Sequence, residues 1–185
     1  QSTGSGSVSI DATVREESGH TPIGPDGGCR FQTTDTDGDQ KRHMDKLQGF
    51  LAGERLDDVA IYIDEGQLGG DHNLGDAGME VDTGIVLVVP GEAGRNAFQG
   101  ATGIGAMEFA KEAMGRDGEI ESTLAGGVCP DDDGDDHNIE FILSFAEAQN
   151  EEVGGLYEEG DVIHAYAHCS CGVNFSHKWL AGSRE

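Results

Sequence analysis

The chain has 185 residues, 36% of them apolar, and its thirty-six Asp and Glu outnumber eleven Lys and Arg to leave a formal net charge of -25. That balance excludes the basic face a nucleic acid requires, and the longest strongly apolar run, at 85–89, falls far short of the ~20 residues that cross a bilayer. Acidic excess spread along a chain with few Lys keeps a protein hydrated where molar salt cuts the Debye length to about 3 Å, so the charge predicts a salt-accumulating halophile as the source.

Residues 1–43 hold seven acids and four bases, against twenty-nine and seven in 44–185, and are rich in Ser, Thr, Gly and Asp without sustained periodicity. They are expected to be a disordered leader or an over-extended reading frame, since Met44 stands just before the first helix-like block and the numbering opens at Gln1. Residues 44–185 are expected to form one domain. No basic-then-apolar signal segment opens the sequence, and the expectation is a soluble, cytoplasmic protein.

From Met44 onward, Leu47, Phe50 and Leu51 fall at helical spacing, with Gly53 as a stop. Residues 59–63 (VAIYI) predict a strand, and 85–89 (IVLVV) a second one buried on both faces. Between them, 66–83 contains five Gly and predicts a long loop with at most a short helical turn. After Pro90, apolar residues recur at three- and four-residue intervals from Ala97 to Met114, a helix interrupted around Gly103 and Gly105. Strands follow at 139–145 (IEFILSF) and 162–167 (VIHAYA), and 173–180 returns as another with Gly172 at the turn. The expected fold class is α+β: a small mixed or antiparallel sheet, a central Gly-interrupted helical segment and a C-terminal hairpin.

Three of the four cysteines, Cys129, Cys169 and Cys171, lie in the part expected to fold; Cys29 does not. In a reducing compartment, thiols brought together point to metal before disulfide. A Cys-x-Cys pair in an extended segment turns both sulfurs to one face, and Cys129, ahead of the turn-former Pro130, supplies a third. His177 or His168 would complete tetrahedral zinc; His177 is preferred, because an unbroken strand sends His168 to the face opposite Cys169. The competing reading is that the three Cys are small buried apolar residues.

Other motifs fail on spacing. His164 and His168 stand four apart, but the Glu of a zinc-protease helix is missing and the block reads as strand. Around Cys129 and His137 the sequence offers Cys-Pro and His-x-x-Glu, the wrong order and spacing for a zinc deaminase. The acidic run 131–136 lacks the Gly and the distal Glu of a calcium loop. The segment after IVLVV is a strand–loop–helix junction where Gly91, Gly94 and Arg95 could hold an anion, although tight packing explains the glycines equally well.

The blocks FLAGERLDDVAIYI, GIVLVVPGEAGRNAFQGATGIGAMEFAKEAMG, LAGGVCP and VGGLYEEGDVIHAYAHCSCGVNFSHKW together resemble an uncharacterised family of small acidic haloarchaeal proteins, over about 44–185. The resemblance implies an organism class and carries no activity. Two function classes therefore remain open. One is a small binding or adaptor protein, with an unidentified protein or small-molecule partner, whose zinc is structural. The other is an enzyme using the 91–105 loop as an anion or phosphate site, or a metal with an open position. The first is preferred, because no nucleophile or acid/base pair in the sequence has a recognisable partner.

Overall fold

Short apolar, largely β-branched or aromatic runs along five segments, and apolar residues recurring with period near 3.6 along three others, sort this chain into a sheet and its covering helices. A computed structural model describes residues 36–68, 78–131 and 137–183, all within the unit Thr33–Glu185. In chain order the elements are α1 (Thr36–Leu51), β1 (Asp58–Asp64), a 3₁₀ turn (Glu65–Gln67), β2 (Met79–Val81), β3 (Gly84–Pro90), α2 (Gly91–Thr102) and α3 (Ala106–Ala113). Then come β4 (Glu119–Ile120), β5 (Gly127–Val128), β6 (Ile139–Glu147), α4 (Leu156–Glu159), β7 (Val162–Cys169) and β8 (Asn174–Leu180).

Six strands form one sheet in the order β2-β3-β1-β6-β7-β8, every neighbouring pair antiparallel, and β4 and β5 form a separate hairpin. The expected α+β class with a C-terminal hairpin is therefore the observed one. Both faces of the sheet are covered. On one face Ala60, Tyr62, Val86, Val88, Ile163 and Phe175 pack with Leu47 and Phe50 of α1 and with Ile120 and Leu124 of the β4–β5 hairpin. On the other, Val59, Ile61, Leu87, Leu143 and Tyr166 pack with Phe98 of α2 and Phe109 of α3. Continuous burial of Ile85 to Val88 follows from this double cover.

The helical segment breaks where expected. Gly103 takes φ +74 and its N–H caps Gln99 O, and Gly105 precedes α3. Gly53 ends the first helix region in the same left-handed way, at φ +81. The helix itself starts earlier than the sequence pattern placed it: α1 opens at Thr36 rather than Met44, because His43 lies on the buried stripe with Leu47 and Phe50. The remainder of the expected leader, residues 1–35, lies outside the described residues, as do Cys29, 69–77 and 132–136.

β2 sits inside the stretch expected to be loop. At three residues it is too short to show alternation, and it exists through Met79↔Val86 pairing with β3. The β4–β5 hairpin, with two residues in each strand, is held from outside: Gly118 N donates to Ser176 O and Ser176 N to Arg116 O, tying 116–118 to the edge of β8.

At the β3–α2 junction the glycines serve packing. Gly91 N–H donates to Asp57 O at 2.9 Å, and a Cβ on Gly94 would fall 2.0 Å from Val59 Cγ2. Gly94→Ala is expected to push α2 off β1 and cost about 2 kcal/mol, seen as a lower denaturant midpoint at unchanged slope. A midpoint equal to that of the parent protein would show that α2 does not dock so closely.

Candidate metal centre

Two short loops, each tethered by the sheet, bring the cysteines together. Cys129 directly follows β5, so the hairpin docked beside β8 delivers it, buried, to the end of the large sheet. Cys169 is the last residue of β7, also buried. Cys171 is exposed and belongs to the tight β7–β8 turn, closed by Gly172 N to Cys169 O at 2.8 Å and by Cys169 N to Val173 O at 3.0 Å. Gly172 takes φ +88 there, which only glycine adopts without strain. Strand alternation is therefore not what pairs Cys169 with Cys171: β7 stops at the first, and the turn folds the second back.

The residue that joins the three sulfurs is His137. Ser170 N donates to Asn138 O at 2.8 Å and Asn138 N to Ser170 Oγ at 3.1 Å, zipping the segment before β6 onto the β7–β8 turn. This sets His137 Nδ1 at 3.5 Å from Cys169 Sγ, while Cys129 Sγ and Cys171 Sγ lie 3.7 Å apart. One ligand atom from each of Cys129, His137, Cys169 and Cys171 falls within 4.8 Å of every other. A tetrahedral ion with metal–sulfur bonds of about 2.3 Å and a metal–nitrogen bond of about 2.05 Å has edges of about 3.8 Å between sulfurs and about 3.6 Å from sulfur to nitrogen. The Cys129–Cys171 and His137–Cys169 separations are of that size, and every other pair lies within 4.8 Å.

The polypeptide also presents donors to the sulfurs. Backbone groups of Asp131 and Val173 hydrogen-bond Cys129 and Cys171, each two residues beyond its cysteine. Desolvation nevertheless pushes the Cys129 thiol up to about 12, and its neighbouring sulfurs add to the rise against the Asp131 bond. For Cys171 desolvation acts upward too, but the Val173 bond and those from Cys169, Cys129 and His137 together bring it below the ordinary thiol value. Arg116 pairs with Asp131 next to the centre, and the nearby sulfurs further favour its charge. A cation between these sulfurs would relieve the cost of burying their thiolates.

His177 is placed elsewhere. It pairs with Ala165, four residues along β7 from Cys169 and so roughly 13 Å away at strand rise. Its Nδ1 accepts the Ile120 N–H at 3.0 Å, and its ring packs on Trp179. The sequence reading preferred it because strand alternation turns His168 away from Cys169, but the register sets His177 too far along. His168 stands, as expected, on the opposite face from Cys169, stacked on Phe141. His137 did appear in the sequence reading, but only inside a deaminase pattern that failed. The signal that finds it is Cys129-Pro130 and His137 flanking one acidic run of sequence, a Cys/His pair to match the Cys-x-Cys pair.

At the other proposed site, Gly91, Gly94 and Arg95 lie in the first two turns of α2, whose opening turn also carries Glu92. The Gly91 amide is taken by Asp57 O, and the Gly94 position by contact with Val59. Packing thus accounts for both glycines. Glu92 is a charge that opposes an anion at this end.

Among the described residues no helix is long and apolar enough to cross a membrane. A family of unknown function (DUF5807) matches residues 78–182, more than half of the chain, and the protein belongs to that family. The matched segment includes all four residues of the Cys/His cluster. No curated protein and no solved structure matches.

Proposed function

We propose that this protein is a small salt-adapted binding or adaptor protein of haloarchaeal type, working in the cytoplasm, whose fold is cross-linked by a structural zinc ion on Cys129, His137, Cys169 and Cys171. The observation that carries the reading is the approach of four ligand atoms to within 4.8 Å of one another, from two chain segments that the sheet brings together. Three sulfurs and one imidazole suit zinc better than hard cations such as magnesium or calcium, which take oxygen ligands. Four protein ligands fill a tetrahedron and leave no position for substrate, which favours a structural role over a catalytic one. The ion would clamp the β4–β5 hairpin and the segment before β6 to the β7–β8 turn.

The test is elemental analysis of protein purified in high salt without added metal. One zinc per chain, released when a chelator unfolds the β7–β8 end, is the expected result. Replacement by cobalt(II) should give the visible absorption of a tetrahedral thiolate site, and an octahedral spectrum or no uptake would refute the reading.

Salt adaptation has its own consequence. Repulsion among the acids should loosen the fold when counterions are withdrawn, so the thermal midpoint should rise from millimolar to molar potassium chloride. An unchanged midpoint would remove the halophilic part of the proposal.

A further inference from the structure

The three sulfurs of the cluster are not equivalent. Cys129 and Cys169 are buried, at 3% and 0% exposure, whereas Cys171 is exposed in the β7–β8 turn. A reagent arriving from solvent therefore meets Cys171 first. Bound to zinc it is a thiolate, since a coordinating thiol is deprotonated outright, and the thiolate is the form that attacks.

Its two sulfur neighbours are held differently. Cys129 Sγ stands 3.7 Å from Cys171 Sγ, and the two residues are 42 apart in sequence. Cys129 follows a strand of two residues and Cys171 belongs to a turn. Drawing their sulfurs together to the about 2.05 Å of a disulfide bends these loops and leaves the six-stranded sheet in register. Cys169, in contrast, ends β7 opposite Ile139, and its N–H and C=O close the turn through Val173 and Gly172. Its Sγ faces His137 Nδ1 at 3.5 Å. A bridge from Cys169 to Cys171 would have to form inside that hydrogen-bonded turn, and it would span two residues instead of 42. Cross-links that close longer loops restrict the unfolded chain more and so favour the folded one more.

We infer that Cys171 is a reversible oxidation site for hydroperoxides, with Cys129 as the residue that resolves it, so that oxidation exchanges the metal for a Cys129–Cys171 disulfide. In the first step the Cys171 thiolate attacks one peroxide oxygen. The S–O bond forms as the O–O bond breaks, giving a sulfenic acid and a hydroxide that takes a proton from solvent. The Cys129 thiolate then attacks the Cys171 sulfur; the S–S bond forms, the S–O bond breaks, and a second hydroxide leaves as water. Two thiolates give up two electrons, and one hydrogen peroxide with two protons becomes two waters. Neither disulfide sulfur carries the charge that held the ion, which is left with His137 and Cys169 alone and departs. The β4–β5 hairpin stays tied to the β7–β8 turn, now by a covalent bond. The inference rests on the zinc reading for the ion that is released, and not for the sulfur pair.

The experiment uses the full chain with Cys29→Ser, so that only the three clustered thiols are counted, purified in high salt with its own zinc. One equivalent of hydrogen peroxide is added beside a chromogenic zinc chelator, with an unoxidised sample as the blank. Remaining thiols are then alkylated and the peptides mapped by mass. The expected result is loss of one zinc and two thiols per chain together, a linked Cys129–Cys171 peptide lighter by two hydrogens, and Cys169 recovered in alkylated form. A thiol reductant and fresh zinc should restore both thiols and metal. Brief iodoacetamide treatment of the zinc-loaded protein should label Cys171 ahead of Cys129 and Cys169. Zinc retained while thiols are consumed, a bridge containing Cys169, Cys171 driven to sulfinic acid with no bridge, or Cys129 labelled first would each overturn the assignment. Protein purified without zinc refutes the metal reading instead, and the same mapping on that chain then supports or overturns the sulfur pair by itself.

Discussion

Cys171→Ser is expected to empty the metal centre and lower the thermal midpoint by roughly 6–12 °C, the shift that about 3 kcal/mol produces in a chain of this length. That energy is a fraction of the ~10–16 kcal/mol at which structural zinc binds, because the standard value refers to molar ion and the fold gains only what the far lower free-ion concentration allows. Cys171 is the exposed member of the cluster, so a serine there leaves no cavity, and the loss reads the metal alone. His137→Ala should behave in the same way. His177→Ala should retain a full zinc complement and lose only the bond that its ring accepts from the Ile120 N–H. Zinc lost from His177→Ala and kept by His137→Ala would reverse the ligand assignment. Equal midpoints for parent and Cys171→Ser, with and without chelator, would show that no ion contributes to the fold.

Phe109→Ala is expected to be as damaging, by a different route. Phe109 is fully buried on α3, and its ring lies 5.3 Å from both Phe98 on α2 and Phe141 on β6. Phe98 and Phe141 complete the triangle at 5.5 Å with an edge-on ring angle. Truncation removes two aromatic contacts and leaves a cavity between both helices and the sheet, costing about 4 kcal/mol, a midpoint lower by roughly 8–16 °C. Zinc content should stay intact, since none of the three rings belongs to the metal cluster. A double mutant with Phe98→Ala should be less damaging than the sum of the single changes, since the two residues share one cavity. Strict additivity would mean that the three rings do not act as a cluster.

Most of the fold was legible because strands and helices announce themselves locally. VAIYI, IVLVV, IEFILSF and VIHAYA each became a strand, and Gly103 with Gly105 broke the helical segment, since β-branched runs and a left-handed glycine act within a few residues. β2 and the β4–β5 hairpin were not legible. Each strand there has two or three residues, and its partner, not its own pattern, makes it a strand. The start of α1 was missed for a related reason: His43 reads as a polar residue in sequence and becomes a core residue only when the helix docks.

By itself the sequence determined the acidic character, the succession of the longer strands and of the central helical segment, and the three cysteines as a group, because these depend on composition and on neighbours along the chain. Only the tertiary structure decided that His137 and not His177 stands with them, since that follows from strand register and from the Ser170–Asn138 zipper, both contacts between distant segments. It also decided the face of Glu140. One extra residue in β6 reverses the alternation there, and a bulge leaves no trace in hydrophobic periodicity because its cause is the pairing of Ile139 and Phe141 with a different strand.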